Sequence, residues 1–263
     1  MSRKGKLIRR IIFKCLSFKQ YLFILSNFYF ILYKLKILKL IDQYKYHYFI
    51  SNLINKGDTV IDIGANLGYF SKNFSSWVGI NGKVHSVEPV KDVLEVFKIN
   101  IRKRKNIIIY PYALGEEEKT IYLGNVTMNN QGYIGSGSHF VLNNFDQENK
   151  NIIKFPAEMK RASKLFNSIE KINFIKIDIE GYETVVIPEM ENLIIKHKPL
   201  MLIETKGENR KVIISFFNSR GFKTFVLTGR KLYNSTEINT DKEDDMIVIH
   251  DTLINKYSKY IAY

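Results

Sequence analysis

Short apolar runs separated by longer mixed stretches dominate the chain from residue 59 to residue 250. Five of these runs have the length of buried parallel strands, and two more lie near the C-terminus. The seven predicted strands are 60–63, 83–87, 107–110, 174–178, 199–204, 222–227 and 245–250. Helices are predicted over 157–169, 185–196 and 209–220. This alternation predicts an α/β fold with a mostly parallel seven-stranded sheet and an antiparallel C-terminal strand pair.

The first predicted strand runs into a glycine turn suited to ligand binding, D-I-G-A-N-L-G at residues 62–68. Gly64 and Gly68 allow the backbone to turn tightly and approach a ligand, and Asn66 is among the few residues that tolerate positive φ. A dinucleotide fingerprint would need a third glycine where Tyr69 stands, and the carboxylate of Asp62 would repel a phosphate. Asp62 could instead hold an ammonium group directly or through water, which points to S-adenosylmethionine, a cofactor with that ammonium and no phosphate.

Acidic residues stand at the ends of three later strands. Glu88 follows the second strand, twenty residues after the second glycine of the turn, where an acid can accept both hydroxyls of a ribose. Asp178 and Glu180 follow the fourth strand, and Glu204 ends the fifth. Ligands bind at the carboxyl ends of the strands in an open α/β sheet, so we expect these acids to lie at one site.

The order of these motifs resembles the FkbM family of S-adenosylmethionine-dependent methyltransferases. The matching motifs are D-x-G-A-N-x-G-Y-F-S at 62–71, V-E-P at 87–89, A-L-G at 113–115, K-x-D-x-E-G at 176–181 and I-E at 203–204. The resemblance covers about residues 55 to 230. It implies a Rossmann-like class I methyltransferase fold and methyl transfer, often to a sugar hydroxyl of a glycan, polyketide or glycolipid.

The resemblance also implies roles for single residues. By analogy the cofactor is bound by Asp62, Gly64, Asn66, Gly68 and Glu88, while Asp178 and Glu180 face the reacting groups. The loop after the third strand could bring Ala113 and Leu114 beside an adenine. Asp178 is expected either at the methionine end of the cofactor or at the acceptor.

Methyl transfer to a hydroxyl requires the acceptor in line with the methyl group and sulfur, and a base for the hydroxyl proton. The candidates for this base are Asp178, Glu180 and His139. A pair of like-charged carboxylates would raise the pKa of one member toward a useful value. The structural alternatives are that Asp178 caps the following helix and that Glu180 is a first-turn helix acid. Glu183 reads as a solvated helix residue.

The stretch from Gly124 to Phe145, which contains His139, is rich in Asn, Gly and Ser. It reads equally as a polar loop that hydrogen-bonds sugar hydroxyls and as a plain surface hairpin. Two carboxylates can also hold Mg²⁺, which would acidify an acceptor hydroxyl. The spacing does not require a divalent cation, however, and the five histidines form no close ligand pair, so no metal site is predicted.

Charge is distributed unevenly along the 263 residues, whose formal net charge is +14. Residues 1–45 hold eleven Lys and Arg against one acid, which leaves 29 basic and 25 acidic residues in 46–263. We therefore expect a basic, apolar helical extension over residues 1–54 and the methyltransferase domain over 55–263. The single cysteine, Cys15, excludes an internal disulfide and fits a reducing compartment such as the cytoplasm.

The extension contains fourteen residues without a charge, from Gln20 to Tyr33. A spanning helix needs about 20 apolar residues. This run is shorter and rich in interfacial aromatics, which favours a helix lying on an anionic membrane surface. The alternative is that the extension packs over the domain or makes a dimer contact. The sequence shows no small-x-small cleavage site of a signal peptide, so the predicted location is cytoplasmic, with peripheral attachment to the inner face of a membrane.

Two other functions are weighed against methyl transfer to a saccharide, glycan or glycolipid. A nucleic-acid methyltransferase would suit the total charge, but the catalytic half is nearly balanced and lacks a base-clamping tetrapeptide like Asn-Pro-Pro-Tyr, so a nucleic-acid partner is not expected. A non-catalytic cofactor-binding module, docked to a membrane or a partner, is disfavoured by the acids at the strand ends.

Overall fold

A computed structural model of the chain describes residues 13–126, 134–142, 152–236 and 245–262. The strands are β1 (Thr59–Ile63), β2 (Lys83–Val87), β3 (Ile107–Tyr110), β4 (Ala113–Leu114), β5 (Lys119–Asn125), β6 (Phe140–Val141), β7 (Ile153–Lys160), β8 (Phe174–Ile177), β9 (Leu200–Glu204), β10 (Phe222–Thr228), β11 (Lys231–Asn234) and β12 (Asp245–His250). The α-helices are α1 (Phe18–Lys34), α2 (Lys45–Phe49), α3 (Tyr69–Val78), α4 (Lys91–Ile101), α5 (Ala162–Leu165), α6 (Glu183–Glu189), α7 (Glu191–His197), α8 (Gly207–Asn218) and α9 (Ile254–Tyr257).

The larger sheet has eight strands in the order β11-β10-β12-β9-β8-β1-β2-β3. The five strands from β9 to β3 are parallel, and β12 joins them antiparallel to both β9 and β10. The predicted fold class is confirmed, since this is the mostly parallel sheet of a class I methyltransferase with antiparallel C-terminal strands. The eighth strand, β11, lies between the two predicted C-terminal strands, where no strand was predicted. It pairs with β10, and its Leu232 is buried.

Side chains of β1 alternate between two hydrophobic cores, as the two-residue period of a strand requires. Ile61 and Ile63 face the core that is formed with α6 and α8. Val60 faces the opposite core, which contains Phe70 and Phe74 of α3. The sheet is thus covered on both faces, and its central strands end at an edge where loops form the candidate site.

A smaller sheet of four strands, in the order β4-β7-β5-β6, stands beside this edge. The predicted helix over 157–169 is wrong in its first part, because β7 continues to Lys160 and pairs with β5 from Ile153 onward. Ala157 and Met159 are buried while Glu158 is exposed, which is a strand alternation. Only α5 is helical there. Residues 127–133 and 143–145 of the predicted polar loop lie outside the described residues.

The extension packs on the domain through α1. Tyr21 and Leu22 are fully buried, and the Ser26 hydroxyl lies 3.3 Å from Oδ1 of Asn100 in α4. Just after α1, Lys36 adopts a left-handed φ of 59°. The residues that follow form short 3₁₀ turns and α2 rather than a continuation of the helix. Across the described residues, no helix combines the length and the hydrophobicity that crossing a membrane requires.

Candidate active site

The turn after β1 has a geometry that requires its glycines. Gly64 and Gly68 have φ of 75° and 84°, and Asn66 between them has φ of 50°. A Cβ on Gly64 would lie 1.9 Å from the backbone oxygen of Asp178, and one on Gly68 would lie 2.5 Å from the ring of Phe97. The turn therefore packs directly against the end of β8, which brings two of the predicted motifs together.

Glu88 lies at the end of β2 and is held by the same turn. Its Oε2 accepts a hydrogen bond from the Asn66 N–H at 2.9 Å, and its Oε1 accepts one from the Val90 N–H at 2.9 Å. Burial raises the pKa of Glu88 to about 7, against these two N–H groups and the Lys176 charge, which favour the carboxylate. Each carboxylate oxygen has a further lone pair, so the group can still accept two hydroxyl hydrogen bonds.

Asp62, which was expected to hold an ammonium group directly or through water, lies behind the glycine turn. Asp62 shares the strand face of Val60, so its carboxylate points toward α3, is fully buried and does not line the cavity described below. Ser71 of α3 donates a hydrogen bond to Oδ2, whereas Oδ1 has no hydrogen-bond partner. Burial raises the pKa of Asp62, although the Lys176 charge and the Ser71 hydroxyl oppose the shift. Asp62 thus supports the turn from behind and can reach a ligand only through water or through its neighbours.

Lys176 is a site residue that sequence reasoning missed, although it stands in the K-x-D-x-E-G motif. Its Nζ lies 2.9 Å from Oδ2 of Asp178, 3.0 Å from the carbonyl oxygen of Gly64 and 4.0 Å from Oδ1 of Asp62. Burial would lower the pKa of Lys176, but the charges of Asp178 and Asp62 hold it above its usual value. The signal was a lysine within the buried run F-I-K-I, since a buried charge needs partners.

The loop after β8 is not the helix start that the structural alternatives assumed. The N-cap of α6 is Tyr182, so Asp178 caps no helix. Glu180 has a left-handed φ of 53°, a strained conformation for a residue with a side chain. The prediction that Glu183 is solvated is wrong, because its side chain is buried. Its Oε1 accepts hydrogen bonds from the N–H groups of Ile179 and Gly181 at 3.1 and 3.2 Å.

Three acidic side chains, those of Asp178, Glu180 and Glu204, lie where β8 and β9 end. Glu180 is reached by solvent, yet the protein atoms that crowd it, together with the charges of Asp178 and Glu204, raise its pKa to about 7. The ammonium group of Lys176 forms a salt bridge with the carboxylate of Asp178 at 2.9 Å. The loop therefore offers one carboxylate held by a lysine and one carboxyl group that changes charge near neutral pH.

A cavity of about 640 Å³ opens between the glycine turn and the smaller sheet. Its lining includes most of the predicted cofactor residues and all three candidate bases, namely Gly64, Asn66, Glu88, Ala113, Leu114, His139, Asp178 and Glu180. Gly68 is not part of its wall and acts as the N-cap of α3. We call this space the main cavity.

His139 enters the main cavity from the smaller sheet. Its Nδ1 lies 3.1 Å from the carbonyl oxygen of Ser136, and its Nε2 is buried without a hydrogen-bond partner. Burial lowers the pKa of His139 to about 4, so the ring is neutral at physiological pH. An unpartnered ring nitrogen in the wall is a ready contact for a bound molecule.

Two further clefts share lining residues with the main cavity. One, the acidic cleft, has a volume of about 480 Å³ and is lined by Asp178, Glu180, Gly181, Glu183, Glu204, Thr205, Lys206 and Asn209. The other, the aromatic cleft, has a volume of about 760 Å³. It is lined by Gln43, Tyr44, His47, Tyr69 and Phe70, by Lys176, Asp178, Glu204 and Asp245, and by Gly64, Ala65 and Asn66 of the glycine turn. Asp178 lines all three spaces. It therefore marks the point at which ligands in adjoining spaces would meet.

The sheet, the glycine turn and the acids at the strand ends define a domain with the fold of class I methyltransferases. A family model described as the methyltransferase FkbM domain matches residues 62–224, which is more than half of the chain. The chain therefore belongs to the FkbM methyltransferase family, as the sequence motifs predicted.

Two solved structures are similar to this chain. The methyltransferase FkbM from Methylobacillus flagellatus superimposes with a TM-score of 0.52 at 16% identity, over 77% of this chain and 46% of that chain. Fibrillarin from Aeropyrum pernix, solved with natively bound S-adenosyl-L-methionine, gives a TM-score of 0.44 at 14% identity, over 75% of this chain and 68% of that one. None of the curated proteins compared with the chain matches it. The chain spans less than half the length of the FkbM structure from Methylobacillus flagellatus.

Proposed function

We propose that the protein is an S-adenosylmethionine-dependent methyltransferase that modifies a hydroxyl group of a saccharide, glycan or glycolipid. The observation that carries the proposal is that Asp178 lines the main cavity and both clefts. A cofactor in the main cavity and an acceptor in a cleft would face each other at this residue.

The main cavity has groups that suit each part of S-adenosylmethionine. The free lone pairs of Glu88 suit the two ribose hydroxyls, and the apolar walls at Ala113 and Leu114 suit an adenine. Gly64 and Asp178 lie where β1 and β8 end together, which suits the methionine end. The cofactor supplies a sulfonium methyl group, and the protein's task is to place the acceptor oxygen in line with it.

Glu180 is the best-supported general base for the acceptor proton. It lines both the main cavity and the acidic cleft, and its pKa of about 7 allows it to accept a proton at neutral pH and release it again. Asp178, bonded to Lys176, would orient the acceptor hydroxyl and repel anions. His139 lines the main cavity but neither cleft, which favours contact with the cofactor over a role as base.

The proposal includes no divalent cation. Within the part of the chain that is described, no group of three or more His, Cys, Asp or Glu side chains is arranged to hold a metal ion. The arrangement at Asp178 and Glu180 already offers a base and an orienting carboxylate.

The extension offers a means of bringing the enzyme to a glycolipid. While one face of α1 packs on the domain, Phe28 and Ile31 on its outer face are 61% and 56% exposed. Lys34 ends the helix, and Lys19 in its first turn pairs with Asp92 and Glu95 of α4. Apolar side chains bordered by lysines suit an anionic membrane surface. We therefore include peripheral attachment to the cytoplasmic face of a membrane in the proposal.

A labelling experiment tests the activity. Purified protein is incubated with S-adenosylmethionine carrying a tritiated methyl group and with separated neutral-glycan, glycolipid and RNA fractions of cells. We expect label in a carbohydrate fraction, with a mass gain of one methyl, and its loss with Asp178→Asn. Label in RNA alone would replace the saccharide proposal by the nucleic-acid alternative, and no label in any fraction would favour a non-catalytic cofactor-binding module.

A further inference from the structure

The aromatic cleft has a wall that comes from outside the matched methyltransferase domain. Gln43, Tyr44 and His47 line it from the segment between α1 and β1, whereas the family match begins at residue 62. Asp245 of β12 lines it from beyond the other end of the match. The acceptor side of this site is therefore completed by parts of the chain that the family motifs do not describe.

This wall is fixed to the glycine turn through a set of stacked rings. The hydroxyl of Tyr29 in α1 and Nδ1 of His47 share a hydrogen bond of 2.6 Å. The His47 ring stacks on Phe70 with 4.0 Å between ring centroids, and the Tyr29 ring lies 4.3 Å from that of Tyr69. Phe70 and Tyr69 begin α3 directly after the turn. The extension is thus packed against the residues that line both the aromatic cleft and the main cavity.

Burial keeps the ring of His47 neutral. It lowers the pKa of His47 to about 3, and the nearby Lys176 charge adds to the effect. The charges at the floor of the cleft are then those of Lys176, Asp178, Glu204 and Asp245, which are negative in sum. A phosphate-rich acceptor is disfavoured by this sum, while a neutral molecule with many hydroxyl groups is not.

The side chains that line the aromatic cleft also indicate which class of acceptor molecule it would bind. Aromatic rings offer flat apolar faces on which the C–H side of a sugar ring can lie. Carboxylate oxygens accept hydrogen bonds from hydroxyls, and the amide of Gln43 can both donate and accept. A concave space with apolar faces and a few polar groups is typical of a small-molecule site.

We propose that the aromatic cleft is the acceptor subsite for a neutral saccharide, and that Tyr44 and Gln43 of the extension hold the sugar there. The inference rests on the proposed function, which places the cofactor in the main cavity, because Asp178 lines both that cavity and this cleft. It adds that the N-terminal extension is part of the substrate site.

The test measures sugar binding and cofactor-product binding separately. Saturation-transfer NMR is run with methyl glycosides of glucose, galactose, mannose, fucose and N-acetylglucosamine, in the presence of S-adenosylhomocysteine. The variants are Tyr44→Ala, Tyr44→Phe and Gln43→Ala. Tyr48→Ala is the matched control, because Tyr48 is an aromatic residue of the same segment that does not line the cleft. Affinity for S-adenosylhomocysteine is measured for each variant by calorimetry.

We expect at least one glycoside to bind the parent protein and to bind Tyr44→Ala about tenfold more weakly. Tyr44→Phe and Tyr48→Ala should bind it like the parent, and S-adenosylhomocysteine should bind all variants equally. Gln43 is exposed, so Gln43→Ala leaves the fold intact and carries the test if Tyr44→Ala is unstable. Unchanged glycoside binding in Gln43→Ala and Tyr44→Ala, or a parent that binds S-adenosylhomocysteine but no glycoside, overturns the inference alone. A parent that does not bind S-adenosylhomocysteine overturns the proposed function as well.

Discussion

Replacing Lys176 by methionine removes the ammonium group that lies between Asp62 and Asp178 while keeping much of the side chain's volume. Asp178 is 31% exposed and can be hydrated, whereas Asp62 has no exposed side-chain surface. The cost therefore falls mainly on Asp62, which becomes a buried charge without a cation or must take up a proton. Breaking a buried ion pair by removing one partner costs about 3–5 kcal/mol. This is a large share of the net stability of about 5–15 kcal/mol that is usual for a domain.

Urea unfolding of Lys176→Met measures this loss. Lys83→Met is the matched control, because Lys83 is exposed at the start of the neighbouring strand, and it should change the free energy of unfolding by about 0.5 kcal/mol or less. The double variant Asp62→Asn/Lys176→Met should lose less than the sum of the single variants, since it leaves no unpaired buried charge.

The pH dependence gives a second readout. Without the lysine, burial and the Asp178 charge are opposed only by the hydrogen bonds from Ser71, so the folded pKa of Asp62 lies further above the unfolded value. A raised folded pKa means that the protonated group stabilises the fold below the unfolded pKa and that this contribution is lost as the pH rises through the folded pKa. The deficit of Lys176→Met should therefore be smaller at pH 5 than at pH 8. A variant as stable as the parent at pH 8 would refute this view of the site.

Three other predictions concern the base, the turn and the extension. Glu180→Gln should lower kcat/KM at least about a hundredfold and remove a rise in activity through pH 7, because the base must be ionised; an unchanged pH profile would exclude Glu180 as the base. Gly64→Ala should unfold at a lower temperature than Gly57→Ala. Both residues have positive φ, but only at Gly64 would a Cβ collide with another atom, the backbone oxygen of Asp178. Equal melting temperatures would contradict the tight contact between the ends of β1 and β8. Phe28→Glu should weaken co-sedimentation with phosphatidylglycerol vesicles, whereas Ile80→Glu, at a 94% exposed site on the domain, should not; equal binding of both would argue against a membrane-facing α1.

Sequence reasoning identified the main sheet and the line of motifs because these depend on local signals. Buried parallel strands read as apolar runs, and the glycines, Asn66 and Glu88 are tied to the turn by short-range geometry. Period-two alternation is harder to see in β7, where Pro156 and several charged residues mask it, and the predicted helix there was partly wrong.

Orientation and long-range contacts could not be predicted in the same way. The direction of the Asp62 side chain follows from its partnership with Ser71 of α3, which only the folded sheet shows. Lys176 was overlooked because two of its partners, Asp62 and Gly64, lie more than 110 positions earlier in the chain. The contribution of Tyr44 and His47 depends on α1 packing across α4, a contact between residues about 75 positions apart.

The account depends most on cofactor binding beside Glu88. Isothermal titration of S-adenosylhomocysteine into the parent, Glu88→Ala and Glu95→Ala tests this directly, because Glu95 is a partly exposed glutamate of the adjacent helix α4 that pairs with Lys19 and does not line the main cavity. We predict binding to the parent and to Glu95→Ala, and a loss of about tenfold to a hundredfold in affinity for Glu88→Ala. No binding to the folded parent, or equal affinity of all three proteins, would contradict the account.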